Sequence, residues 1–149
     1  MQPSGPGWAC SHCATVITPA AVDGEDFPVV GPGGHACPVC TRTLDRAVLG
    51  SGEPLELCSQ CRGMLMPRRT FALSLWARAG NTPGTPAQPA AESELERRVA
   101  CPGCGNPMIT DWYYGGGRIV VDTCPACDLI WLDAGELQRA VQSRRYSSP

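Results

Sequence analysis

The sequence predicts a small α+β protein built from two tandem β-hairpins. Each hairpin is closed by two pairs of cysteines and followed by a short helix, and a Pro/Gly linker joins the two. Three observations predict this. All ten cysteines of the 149 residues fall into five C-x-x-C pairs: Cys10/Cys13, Cys37/Cys40, Cys58/Cys61, Cys101/Cys104 and Cys124/Cys127. The segment that starts at Cys37 is repeated by the segment that starts at Cys101. With 17 Gly and 15 Pro, the chain has little room for long core elements.

Each repeat runs knuckle, strand, Gly-containing turn, strand, knuckle, apolar triplet, helix. The knuckles are separated by 17 residues in the first copy and 19 in the second, the difference falling at the turn, where hairpins tolerate it. In the second copy the expected strands are Met108–Tyr114 and Arg118–Thr123, reversed at Gly115-Gly116-Gly117. Gly50-Ser51-Gly52 reverses the first. Met64-Leu65-Met66 then answers Ile130-Trp131-Leu132. A helix is expected after Thr70, ending before Gly80, with Trp76 packed on its own hairpin. A second helix is expected from about Ala134 to Arg144, with Asp133 as N-cap and Glu136 completing a capping box. The segments are then 1–36, an N-terminal knuckle and acidic Pro/Gly-rich stretch; 37–80, the first repeat; 81–100, a linker and short helix (Glu92–Val99); 101–145, the second repeat; and 146–149, a tail.

Two cysteines two residues apart bite one tetrahedral ion, and two such pairs complete a four-sulfur site. Modules of about 40 residues bury too little apolar surface to fold unaided, so the fold is expected to be metal-stabilised. The expected ligands are Cys37, Cys40, Cys58 and Cys61 in one site and Cys101, Cys104, Cys124 and Cys127 in the other. Zinc is the expected cofactor, two ions per chain. A closed four-sulfur shell leaves no position for water or substrate, so the metal is structural and the chain is not expected to be an enzyme. Paired knuckles of this kind also hold iron in rubredoxin-like proteins, which keeps a redox or iron-binding role open.

The fifth pair has no partner pair. Cys10 and Cys13 are open to three readings: a third metal site with His35, a redox dithiol, or a knuckle that binds nothing.

No run of 18 apolar residues exists, and the N-terminus has neither a basic start nor an apolar run, so neither a membrane span nor a secretory signal is expected. A cytoplasmic, reducing compartment follows, where paired cysteines read as metal ligands. The net charge is −2, and every basic residue is Arg. Residues 37–80 carry six Arg against Asp45, Glu53 and Glu56, while residues 1–36 carry three acids and no Arg. This is not the charge footprint of a protein that coats nucleic acid.

The second copy, C-P-x-C-G … V-D-x-C-P-x-C-x-x-I-W-L-D-A-G-E-L, resembles the transcription factor IIB-type zinc ribbon of bacterial proteins. The resemblance covers Cys101 to Leu137. It implies zinc on the four cysteines and a W-L-D-x-G-E-L signature at Trp131, Leu132, Asp133, Gly135, Glu136 and Leu137. The first copy keeps its cysteines but carries Pro67-Arg68-Arg69-Thr70 in place of the signature's acids. The resulting expectation is a protein-binding adaptor or structural subunit, with Trp112, Tyr113, Tyr114, Arg68 and Arg69 as candidate contacts. The alternative is binding to nucleic acid or the transcription machinery, carried by the basic run from Arg62 to Arg78.

Overall fold

The computed structural model describes residues 2–4, 7–9, 16–22, 25–50, 52–78, 90–113 and 119–146. Its strands are β1 (Gln2–Ser4), β2 (Gly7–Ala9), β3 (Val16–Val22), β4 (Glu25–Ala36), β5 (Thr43–Val48), β6 (Pro54–Leu57), β7 (Met64–Pro67), β8 (Ile109–Trp112), β9 (Val120–Cys124) and β10 (Leu129–Leu132). They form one sheet in the order β1-β2-β3-β4-β5-β6-β7-β10-β9-β8. Helix α1 (Arg68–Arg78) follows β7, and α2 (Glu136–Tyr146) follows β10. No helix among the described residues is long and apolar enough to cross a membrane.

The two repeats are β5-β6-β7-α1 and β8-β9-β10-α2. The apolar triplets after the second knuckles are strands, buried along their length: MLMP in β7 and LIWL in β10. A strand that is apolar at every position suits a sheet covered on both faces, and both faces are covered here.

These two strands also join the repeats. They pair antiparallel, with Leu132 opposite Met64, Trp131 opposite Leu65, Ile130 opposite Met66 and Leu129 opposite Pro67. Leu65 and Trp131 occupy the same place in the two copies. The register is therefore centred on a pair of equivalent residues, and the repeats are related by a local two-fold axis through it.

Each face of the sheet carries its own apolar layer. On one face Met64, Met66, Ile130 and Leu132 pack with Phe71 and Leu75 of α1 and with Leu137, Ala140 and Val141 of α2. The two helices contact each other. Tyr113, at the end of the second hairpin, packs edge-on to Phe71 of the first repeat, with ring centroids 5.0 Å apart. On the other face Leu65 and Trp131 join the two cysteine sets into one layer with Leu44, Val99 and Met108.

Several expectations are corrected. The repeats do not meet only through the linker: β7 and β10 fuse them. The predicted helix Glu92–Val99 is a 3-10 turn, Glu92–Glu96, too short to bury an apolar stripe. Trp76 does not pack on its own hairpin; it is 69% exposed on α1, because Phe71, Ser74 and Leu75 take the buried face of that helix. The turn glycines at 115–117 and most of the linker lie outside the described residues.

Gly63 stands at the centre of the joint. A Cβ added there would collide with Cζ2 of the Trp131 ring, which crosses from the other repeat. Gly63→Ala is expected to destabilise the protein by about 1–3 kcal/mol, the usual size for forced overpacking. Denaturant unfolding followed at both repeats should show one shared, shifted transition; a loss confined to the first repeat would contradict the fused core.

Candidate metal centres

Each of the four described C-x-x-C pairs sits on a tight turn whose residue after the second cysteine has positive φ: Thr41 (61°), Arg62 (64°), Gly105 (75°) and Asp128 (54°). Three of these four are not glycine, so the turns hold a left-handed backbone that L-residues ordinarily avoid. The turns are closed by repeated backbone bonds, Thr41 N to Cys37 O, Arg62 N to Cys58 O and Gly105 N to Cys101 O, at 2.8–2.9 Å. This geometry turns backbone N–H groups toward sulfur. Val39 N and Cys40 N donate to Cys37 Sγ at 3.4 and 3.2 Å, Cys61 N to Cys58 Sγ at 3.5 Å, and Gly103 N to Cys101 Sγ at 3.4 Å. Such donors favour thiolate over thiol.

The hairpins bring each set together as the spacing predicts. Within each set the four sulfurs lie within 4.8 Å of one another. Cys37 and Cys61 are 3.6 Å apart at sulfur, and Cys104 and Cys124 are 3.7 Å apart. A tetrahedron of four roughly 2.3 Å zinc–sulfur bonds has edges of about 3.8 Å, so both sets fit zinc. All eight cysteines are free of disulfides. Backbone donation, led by Asn106, brings the Cys104 thiol down to about 7. Burial raises the Cys58 thiol, but donors from Cys61 and Gln60 outweigh it and bring it to about 7. In the second set Cys127 is pushed up to about 12, chiefly by its bond to Cys104. A bound dication would favour the thiolate at every ligand.

Each hairpin is braced by an acid on its second strand, opposite the central residue of the next strand: Glu56 faces Leu65, and Asp122 faces Trp131. The segment entering each repeat grips that acid. In the second repeat Arg97 pairs with Asp122 at 2.8 Å and also with Asp133. Thr110 Oγ1 donates to Asp122 Oδ1. Asp133 Oδ1 accepts from Trp131 Nε1 at 3.1 Å, and Glu136 Oε2 accepts from Asp133 N at 2.7 Å. Only half of the predicted capping box exists, because the Asp133 carboxylate is taken by Trp131 and Arg97. In the first repeat β4 does the gripping. Gly34 N, His35 N and His35 Nδ1 all reach the Glu56 carboxylate, at 3.1, 3.1 and 3.0 Å.

The remaining candidates are scattered. Cys10, Cys13 and Tyr114 lie outside the described residues, and the His35 ring is held by Glu56. Tyr113 faces the helices and Trp112 is half-buried, whereas Arg68 and Arg69 are exposed at the start of α1. Arg97 carries no sequence mark beyond a charge near the end of a short acidic stretch, and nothing in the chain's pattern announced its partners.

Residues 100–143 match the transcription factor zinc-finger family, the TFIIB-type zinc ribbon. No curated protein matches the chain significantly, and no solved structure does.

Two outcomes test this arrangement. Cys124→Ser is expected to weaken zinc at the first set as well as the second, by about tenfold, a coupling of ordinary size. Chelator competition measures it, and an unchanged first-set affinity would make the sites independent. The second concerns Glu136, 1% exposed, whose carboxyl is pushed up to about 8 by burial, against the pull of Arg97 and Arg139. Its folded-state value lies above the ordinary one. The stability it contributes is therefore full below the ordinary carboxyl range and is lost as pH rises toward 8. Glu136→Gln keeps an acceptor for Asp133 N and removes this loss. At saturating zinc, its denaturation midpoint should gain on the parent protein between about pH 5.5 and about pH 8.5; a constant difference would mean that Glu136 does not titrate there.

Proposed function

We propose that this chain, which carries a TFIIB-type zinc ribbon at residues 100–143, is a non-catalytic double zinc ribbon acting as a protein-binding adaptor. Zinc on Cys37, Cys40, Cys58 and Cys61 and on Cys101, Cys104, Cys124 and Cys127 would be structural, since four thiolates complete a tetrahedral shell. The observation that carries the adaptor reading is the outer face of α1. Leu73 is 40% and Trp76 69% exposed there, one turn apart, beside exposed Arg69. Tryptophan and arginine are the residues that most often anchor protein interfaces. The fused sheet holds that face rigid, which limits the ordering cost of binding.

The nucleic-acid reading is favoured by one observation: Arg42, Arg46, Arg62, Arg68 and Arg69 are all exposed on the first repeat. The net charge of −2 opposes it, because non-specific affinity depends on how many phosphates are neutralised.

Random duplex and single-stranded oligonucleotides, titrated by fluorescence anisotropy at about 150 mM salt, separate the readings, since surface charge is well screened there. The adaptor reading expects no binding at micromolar protein. It also expects protein partners captured by the zinc-loaded chain to be lost with Trp76→Ala while zinc content and fold are kept. Micromolar oligonucleotide binding, weakened by changing Arg68 and Arg69 to Ala, would replace it with the nucleic-acid reading.

A further inference from the structure

We propose that the first repeat carries a docking pocket for an acidic protein segment that inserts one apolar side chain. The pocket is a cavity of about 190 Å³ on the metal-bearing face of the sheet, bounded by His35, Arg46, Glu56, Leu65, Pro67 and Leu129 among others. That is smaller than the roughly 300–1,000 Å³ of small-molecule sites and suits one side chain.

The chain's own second copy shows how such a place is used. Glu56, Leu65 and Pro67 correspond to Asp122, Trp131 and Asp133. Two of those residues, Asp122 and Asp133, both pair with the Arg97 side chain, and Trp131 bonds Asp133. In the second repeat this space is thus filled from within the chain by a cation held between two carboxylates. In the first repeat the entering segment is β4, which lies along β5 and leaves the space open.

The chemistry of the open copy is reversed. Asp133 is replaced by Pro67. Thr110, which pairs across the strands with Asp122, is replaced by Arg46, which pairs across with Glu56. The Glu56 carboxylate is already engaged by three donors from β4. A Cβ at Gly33 would stand 2.6 Å from Glu56 Oε2 and 2.7 Å from the Leu44 carbonyl, so β4 is kept bare to let Glu56 turn toward it. Arg46 is exposed and makes no ion pair among the described residues, and exposed Arg68 adjoins Pro67. An apolar floor with arginine at its rim complements a carboxylate-flanked apolar side chain. A second arginine from outside would meet Arg46 instead.

This inference rests on the protein-binding reading. Its test needs no natural partner, so failure here leaves the Trp76 surface standing, and failure at Trp76 leaves the pocket standing. The probe is acetyl-Glu-Leu-Glu-amide, added to the zinc-loaded full chain and followed by methyl NMR. Saturating shifts are expected at Leu65 and Leu129, with a dissociation constant on the order of 1 mM. Acetyl-Lys-Leu-Lys-amide and acetyl-Glu-Gly-Glu-amide are expected to bind at least about threefold more weakly, as is the first probe to Arg46→Ser. The two control peptides use the unaltered protein and keep the test valid if the variant misfolds. Shifts that are absent, that fall elsewhere, or that are equal for the lysine peptide would overturn the proposal.

Discussion

The structure depends on one short strand pairing. Met64–Pro67 and Leu129–Leu132 are each four residues long, yet they turn two small hairpins into one sheet. Neither hairpin has a core of its own that would bury its third strand on both faces. Side by side, the two strands give the helices a common floor of Met64, Met66, Ile130 and Leu132. On the reverse they give the cysteine sets a common floor of Leu65 and Trp131. Small metal-bound modules are marginal because their surface is large for their volume. Doubling the module about a local two-fold axis relieves that limit without lengthening any element.

The two copies are unlike, and the differences are complementary. Trp131 lies over Gly63, where an added Cβ would force the ring to shift, so the large residue of one copy fills the space left by the smallest residue of the other. The second copy spends its acids on a network of Arg97, Asp122, Asp133 and Glu136 that ties its entering segment to its helix. The first copy holds Glu56 with backbone and His35, and it has arginines where the network would be. One copy thus ties Arg97 to Asp122 and Asp133 within itself, while the other presents Trp76, arginines and an open pocket. In the adaptor reading, this division assigns rigidity to the second repeat and contact to the first.

Much of this was legible in the sequence. Cysteine spacing located both four-sulfur sets, because a tetrahedral ion tolerates few spacings. The repeat located the hairpins and both helices to within two or three residues. The apolar triplets were visible as MLM and IWL, but three apolar residues carry no periodicity that separates strand from helix or says which partner they meet. The fusion was therefore invisible, and with it the inward turn of Tyr113 onto Phe71. Trp76 failed for a related reason. Its expected burial assumed a helix covering only its own hairpin, whereas α1 shares its buried face with α2. The Asp133/Glu136 capping box was half right, since a local motif cannot foresee an arginine arriving from 36 positions upstream.

The central claim is that the β7–β10 pairing, not the connecting segment, holds the two repeats together. A protease recognition sequence inserted within residues 79–89 allows the zinc-loaded chain to be cut between them, and native mass spectrometry of the cut protein reads the result directly. The account predicts that the two fragments remain a 1:1 complex carrying two zinc ions. Separate fragments, each folded and each holding its own zinc, would contradict it.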